Sequence, residues 1–201
     1  MAIAKFEKVS LETFLKFFQD NNDAMMTQEA KDMLTECYEH IRLPKRGTVG
    51  SAGYDFFAPI PVGPLEPFMS QIIPTGIKCK MEPGWVLITA PKSRYSRWRL
   101  GLDHTIGVID SDYYNNKDNE GQIFIYINNG LPPMKRRNPI TQQMEYNKDD
   151  IFCCPPGIPI IQGIFLPYGL AEEETPTAER TGGFGSTGNL DTPKSPSGII
   201  L

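Results

Sequence analysis

The feature that most constrains the fold is a series of short apolar runs that begins near residue 41 and ends near residue 166. Glycine and proline separate the runs, and the chain contains 18 of each among its 201 residues. The runs are rich in Val, Ile, Phe and Tyr, which favour β-strands. We therefore predict a mainly β fold, a sandwich or jelly-roll-like β-barrel, rather than alternating strands and helices. The predicted strands are residues 41–43, 54–58, 71–73, 76–81, 85–90, 100–102, 106–110, 122–128, 151–153 and 159–166.

The residues before this β region have a helical pattern. Ser10 and Thr27 are suitable N-caps, and the apolar residues after each of them recur with the period of an amphipathic helix. Pro44 ends the pattern. We predict a helical N-terminal extension (residues 1–40) docked on a β core (residues 41–170) or on a neighbouring subunit. The alternative is a module that recruits a protein partner.

The composition argues against several classes of function. The formal net charge is −4, whereas proteins that bind nucleic acid or membrane surfaces generally carry a basic excess. We find no apolar run that could span a bilayer and no apolar signal segment at the N-terminus. The four cysteines lack the spacing of a disulfide framework, and two histidines make a zinc site unfavourable. We expect a cytoplasmic protein with reduced thiols and neither nucleic acid nor membrane as partner.

The segment I-G-V-I-D-S-D-Y-Y-N-N, residues 106–116, contains the best candidate for a catalytic base. Its apolar run stops at Asp110, and a polar turn then leads to the alternating strand at 122–128, so we predict a hairpin. Val108 and Ile109 would half desolvate Asp110 there and still leave it in contact with water, which suits a general base. The alternative is an Asp-rich turn that only caps the hairpin.

Three further stretches place polar groups beside predicted strands. Lys92, Ser93 and Arg94 follow the strand at 85–90 and form either a phosphate cradle or a solvated basic turn. Asp55 lies between apolar residues, where a carboxylate needs a partner, either hydrated Mg²⁺ or ordinary hydrogen bonds. Gln162 lies within an apolar strand and must also bond, either to a ligand or to the backbone.

The C-terminal arm, residues 171–201, contains an acidic stretch and then R-T-G-G-F-G-S-T-G at 180–188. Its glycine spacing is that of a phosphate-binding loop, but Asn189 stands where that loop requires lysine. We predict a flexible arm whose amides, hydroxyls, arginine and aromatic ring suit a nucleoside triphosphate. The alternative is a disordered glycine-rich tail. The residues concerned are Arg180, Phe184, Gly185, Ser186 and Thr187.

Taken in chain order, five of these stretches resemble the five motifs of the trimeric dUTP pyrophosphatases (dUTPases). They are S-A-G-Y-D-F-F-A at 51–58, P-K-S at 91–93, G-V-I-D-S-D-Y at 107–113, I-I-Q-G-I at 160–164 and the arm motif at 180–188. The resemblance covers about residues 41–188, and the start of the chain is similar to family forms with an N-terminal helical extension. Lys92 stands where the second motif usually has arginine, and His104 where asparagine is common.

The resemblance implies a jelly-roll homotrimer that hydrolyses dUTP to dUMP and pyrophosphate with Mg²⁺ at sites between subunits. Asp110 would activate the attacking water, and Tyr113 would pack under the deoxyribose and exclude a 2′-hydroxyl. Backbone groups of Gly107, Val108 and Ile109 would bind the uracil. The other implied roles are substrate contacts for Lys92, Ser93, Arg94 and Gln162, a metal-bound water for Asp55, and a lid made by Arg180, Phe184, Gly185, Ser186 and Thr187.

Two other functions compete with this interpretation. dCTP deaminase shares the fold but lacks the R-x-G-G-F-G-S-T arm. A non-catalytic nucleotide sensor that binds a partner protein through the N-terminal helices belongs to a different class. Asp110, Asp55 and the complete arm motif together favour the hydrolase, and an assay of pyrophosphate release from dUTP with Mg²⁺ distinguishes the hydrolase from both alternatives.

Overall fold

The structure, a computed structural model, describes residues 2–21 and 25–172. Strands form most of its regular structure, which confirms the predicted mainly β class. Neither of its two α-helices is long and apolar enough to cross a membrane. The helices are α1 (Leu11–Asp20) and α2 (Gln28–Glu39). The strands are β1 (Ala4–Lys8), β2 (Lys45–Arg46), β3 (Tyr54–Phe57), β4 (Val62–Leu65), β5 (Ser70–Pro74), β6 (Ile77–Met81), β7 (Trp85–Pro91), β8 (Gly101–Leu102), β9 (Gly107–Ile109), β10 (Phe124–Asn128), β11 (Lys135–Arg137), β12 (Met144–Tyr146), β13 (Phe152–Cys154) and β14 (Pro159–Pro167).

Two antiparallel sheets account for most of the core. A five-stranded sheet has the order β2-β3-β14-β7-β9, and a three-stranded sheet has the order β5-β10-β8. Side chains from both sheets belong to one hydrophobic core, as expected for the layered sheets of a jelly roll. The most completely buried of these side chains are Phe56, Leu87, Ile160 and Ile161 from the first sheet and Ile73, Ile125 and Ile127 from the second.

The N-terminal residues dock on this core through both helices and one strand. The predicted caps are confirmed, because Ser10 Oγ accepts from Thr13 N at 3.1 Å and Thr27 Oγ1 accepts from Ala30 N at 3.2 Å. The fully buried ring of Phe14 anchors α1 in the core. The strand β1, which we did not predict, pairs antiparallel with β6. The division of the chain at residues 40 and 170 stays a prediction.

The predicted strand at 41–43 is wrong, although its apolar pattern has a clear cause. Ile41 is buried, and its side chain lies against Gly76, where an added Cβ would be 2.3 Å from Ile41 Cδ1. The residue thus fills a core gap beside α1 without pairing in a sheet, and β2 starts only at Lys45. The strand β4, with the sequence V-G-P-L, was not predicted.

The hairpin predicted from residues 106–128 is also wrong. β9 pairs with β7 in the five-stranded sheet, whereas β10 pairs with β5 and β8 in the other sheet. The connection between them therefore crosses from one sheet to the other. Residues 135–150, where we predicted no strand, contain the two-stranded hairpin β11–β12. The remaining predicted strands are confirmed to within about two residues at either end.

Candidate functional site

A pocket of about 270 Å³ lies where β9 leaves the five-stranded sheet and β10 begins. This volume is near the lower end of the range for ligand sites, roughly 300–1,000 Å³, so it suits a small molecule. Its lining is mainly apolar and consists of Ile106, Gly107, Val108, Ile109, Ile123 and Phe124, with His104 and Tyr113 adding polar atoms. Four of these residues, Gly107, Val108, Ile109 and Tyr113, are predicted substrate contacts.

Gly107 holds the pocket wall close to the neighbouring strand. It lies opposite Thr89 in the β7–β9 ladder, and an added Cβ would be only 2.3 Å from Thr89 Oγ1. β9 is the last strand of its sheet, and no other strand of the described chain pairs with its outer edge. Since backbone groups alternate in direction along an antiparallel strand, some N–H and C=O groups of β9 point away from β7. These groups are able to bind the polar edge of a flat ring.

Tyr113 is fixed in the pocket by hydrogen bonds at its hydroxyl. The O–H donates to the backbone oxygen of Gln122 at 2.8 Å and accepts from Asn119 Nδ2 at 3.0 Å. Asn116 Nδ2 bonds the Tyr113 carbonyl at 2.9 Å. The side chain is buried, so its ring is presented to the pocket in one orientation.

Asp110 follows β9 directly and stands at the N-terminal position of a short 3₁₀ turn, Ser111–Tyr113. It is exposed in the single chain. The expectation that Val108 and Ile109 half desolvate it is therefore wrong for one chain, because Val108 is itself 58% exposed. Within the described residues, no burial of this carboxylate is complete enough to desolvate it.

A second group of predicted site residues lies on the same sheet. In the ladders, Asp55 is opposite Gln162, which is opposite Ala90 near the end of β7. The Lys92 ammonium forms an ion pair with Asp55, and each side chain is 21% exposed. The structure thus brings Asp55, Lys92 and Gln162 together and leaves Ser93 exposed beside them.

Arg94 and Arg97, which follow Lys92, make different contacts. Arg94 lies over the Tyr95 ring with 5.2 Å between the guanidinium carbon and the ring centroid. Arg97 instead lies over Trp98 at 5.6 Å and forms an ion pair with Asp149 at 3.4 Å. Arg94 is therefore the better placed of the two arginines to assist Lys92 in contacting an anion.

Asp55 fits a hydrated Mg²⁺ better than a directly ligated one. No cluster of three or more His, Cys, Asp or Glu side chains suited to a metal occurs in the described residues. Mg²⁺ commonly keeps several waters and binds one or two carboxylates together with substrate phosphates. One half-buried carboxylate matches that mode, with the phosphates supplying the other ligands.

The two groups of site residues lie at different ends of β7. Ile109 is opposite Leu87, so Asp110 lies at least four residues, roughly 13 Å, along the strand from Pro91. A single phosphate group cannot contact both Asp110 and Ser93 of one chain, because hydrogen bonds span only about 3 Å. To bind one triphosphate, each group therefore needs residues that the other group of the same chain does not supply.

The arm residues Arg180, Phe184, Gly185, Ser186 and Thr187 lie outside the described residues. Sequence reasoning also missed Phe124 as a pocket residue. The signal was present, since Ile125 and Ile127 are buried on one face of β10 and Phe124 alternates to the other.

Comparisons with known proteins agree on one family. A dUTPase family model matches residues 39–130. The chain is 40% identical over 151 residues to the deoxyuridine 5′-triphosphate nucleotidohydrolase of Lactococcus lactis, a match that covers 74% of this chain and 89% of the relative. The protein of the same name from Dinoroseobacter shibae is 31% identical over 157 residues, covering 75% of this chain and 90% of the relative.

Two solved structures have similar folds. The dUTPase from Streptococcus mutans superposes with a TM-score of 0.55 at 28% identity, over 83% of this chain and 98% of that one. A mutant dUTPase from phage phi11 of Staphylococcus aureus, described for its coordination of a structural Mg(II) ion, gives a TM-score of 0.52 at 22% identity, over 70% and 92% of the two chains.

Proposed function

We propose, because this chain belongs to the dUTPase family, that it is an enzyme that hydrolyses dUTP to dUMP and pyrophosphate. The observation that carries the proposal is the match to a dUTP nucleotidohydrolase at 40% identity over 89% of that relative. The pocket between β9 and β10 supports it independently, since four predicted substrate contacts line one small, mainly apolar cavity.

The nucleoside end of the substrate binds in this pocket. The outer-edge backbone groups of β9 pair with the uracil, and the ring of Tyr113 packs under the deoxyribose. The Tyr113 hydroxyl is hydrogen-bonded to Gln122 and Asn119. Moving the ring aside for a 2′-hydroxyl would break these hydrogen bonds. Deoxyribose is therefore preferred over ribose.

Asp110 is the general base. Its carboxylate accepts a proton from the water whose oxygen attacks the α-phosphorus, while the bond to the bridging oxygen breaks and pyrophosphate leaves. The position of Asp110 immediately after β9, on the polypeptide segment that binds the nucleoside, holds it near the α-phosphate. Alignment of the water and removal of its proton together supply the acceleration.

Lys92, Ser93, Arg94 and Gln162 hold the phosphates. When bound, Mg²⁺ supplies positive charge that stabilises the phosphate oxygens during bond cleavage. Asp55 holds that ion through water, and Lys92 can exchange its Asp55 partner for a phosphate oxygen. The close ion pair between Lys92 and Asp55 in the protein alone supports this exchange.

The active site is shared between chains of a homotrimer. The separation of Asp110 from the phosphate-binding group supports sharing, because the two must meet at one triphosphate. Exposed apolar side chains at Ile106 (45%) and Val108 (58%), next to the pocket, provide surface that another chain can cover. The arm residues Arg180, Phe184, Gly185, Ser186 and Thr187 complete the site as a lid. The cytoplasmic location and a protein partner for the N-terminal helices stay predictions.

A comparison of wild type with Asp110→Asn tests this function. Wild type should release pyrophosphate from dUTP in the presence of Mg²⁺, and the variant should lose about 10²–10⁴-fold in turnover, the usual contribution of a general base. The amide keeps the shape of the carboxylate, so dUMP binding measured by calorimetry should change little. Retention of more than about a tenth of the turnover would require another base, and conversion of dCTP to dUTP would identify a deaminase.

A further inference from the structure

The N-terminal helix α1 reaches the wall of the nucleotide pocket through one aromatic contact. The ring of Phe17, on α1, packs against the ring of Phe124 with 5.2 Å between centroids and 41° between planes. Phe124 in turn lines the pocket with Gly107 and Tyr113. One side of the pocket wall is therefore supported by a residue of the extension as well as by the β core.

A second contact ties the same helix to the polypeptide segment that carries Tyr113. Glu120 accepts hydrogen bonds from Ser10 N at 3.2 Å, from the Ser10 hydroxyl, and from Thr13 Oγ1 at 2.7 Å, and it pairs with Lys78 Nζ at 3.0 Å. Burial opposes ionisation of Glu120, but these hydrogen bonds outweigh it and lower its pKa to about 2. The carboxylate is thus charged at neutral pH and fixes the start of α1 to the loop after Tyr113.

We propose that α1 is a structural part of the nucleotide site and that Phe17 is a positioning residue for the nucleoside, acting through Phe124. This inference rests on the proposed function. Both contacts fall on the second half of the Tyr113-to-Phe124 connection, so α1 holds this segment at Glu120 and at Phe124. Without the Phe17 ring, Phe124 loses a packing partner on its outer side and gains rotamer freedom, which the ligand then has to remove on binding.

The expected effect is on affinity and not on chemistry. Immobilising one rotamer-rich side chain on binding corresponds to about a 3- to 10-fold loss of affinity. In Phe17→Ala, the Kd for dUMP measured by calorimetry and the KM for dUTP should rise by this factor. The kcat should stay within about twofold of wild type, because Asp110 and the phosphate-binding residues are untouched. Phe17→Leu, which keeps an apolar side chain against Phe124, should give a smaller rise, and it carries the test if Phe17→Ala does not fold.

A matched control separates positioning from loss of stability. Leu34 is a buried core residue of the extension, 5% exposed, but lies on α2. Leu34→Ala should lower the melting temperature and leave the dUMP affinity unchanged. In a Phe124→Ala background, Phe17→Ala should cause no further rise in Kd, because the residue through which it acts is gone.

Three results would overturn the inference: wild-type dUMP affinity in both Phe17 variants, an equal loss in Leu34→Ala, or additive losses in the double variant. Failure of the proposed function would look different. In that case the wild-type protein itself would neither hydrolyse dUTP nor bind dUMP.

Discussion

Replacing Glu120 by glutamine should cost a measurable and pH-dependent part of the stability. The pKa of Glu120 falls from 4.5 to about 2, since hydrogen bonds from Ser10, Thr13 and Lys78 outweigh burial. At about 1.36 kcal/mol per pKa unit, this shift sets a ceiling of about 3 kcal/mol for the charged form. The side chain is 32% exposed, and solvent screening reduces the expected loss to about 2 kcal/mol. For a chain of this length that corresponds to about 4–8 °C in melting temperature.

The sign of the pH dependence follows from the lowered pKa. The contribution is complete above the unfolded-state value of about 4.5 and is lost as the pH falls through the folded value of about 2. The melting temperatures of wild type and Glu120→Gln, measured by circular dichroism at one protein concentration, should therefore differ widely at pH 7.5 and little near pH 3. Glu82→Gln, at an exposed position, is the matched control and should show little change. A difference in melting temperature below about 1 °C at pH 7.5, or one that does not shrink on acidification, would refute a stabilising role of the Glu120 charge.

Three other substitutions test the site. Gly107→Ala should weaken dUMP binding more than tenfold by calorimetry, since the new methyl group would be 2.3 Å from Thr89 Oγ1. Thr89→Ala in the same chain should restore part of the affinity, and no rescue would mean that this clash is not the cause of the loss. Tyr113→Ala should raise turnover of UTP relative to dUTP in competition, whereas an unchanged ratio would place sugar selection elsewhere. Lys92→Met should lower both the melting temperature and dUTP turnover, because it leaves the Asp55 carboxylate partly buried without its ion pair. Lys92→Arg should retain most of the stability and most of the turnover, and equal losses in the two variants would argue against a role of the charge.

The elements that the sequence predicted well are those whose signal is local. Side chains of Ser10 and Thr27 next to amphipathic runs determine where α1 and α2 begin, and each cap bonds an amide three residues later. The central strands β7, β10 and β14 are apolar or alternating over enough residues to be recognised. Such patterns depend only on which face of an element is buried.

The predictions that failed concern strands and the partners with which they pair. A polar turn between two apolar runs indicated a hairpin, but β9 and β10 pair with strands distant in sequence, and local turn chemistry does not encode that choice. β1 is only five residues long, and its one large apolar residue, Phe6, lies between Lys5 and Glu7, so its alternation was too short to identify a strand. β11 is exposed at every residue, which removes the burial signal altogether.

The same distinction between local sequence patterns and contacts of distant segments applies to the site residues. Gly107, Tyr113, Asp55 and Gln162 belong to compact motifs, and the structure brings them into two groups. Glu120 resembled an ordinary acid in a turn, since its partners Ser10 and Thr13 lie more than one hundred positions earlier in the chain. No local pattern reports a contact of that kind.

The position of Asp110 and Lys92 at different ends of β7 has a consequence for mixtures of chains. In an assembly that builds each site from more than one chain, a chain defective at Asp110 can still supply the phosphate-binding group, and a chain defective at Lys92 can still supply the base. Two separately inactive proteins, unfolded and refolded together, would then regain part of the activity by subunit complementation. A chain damaged in one group disables only the one site to which it supplies that group, whereas a chain damaged in both groups disables two sites. An equal, randomly assorted mixture of such doubly damaged chains with sound chains would therefore lose more than half of its sites.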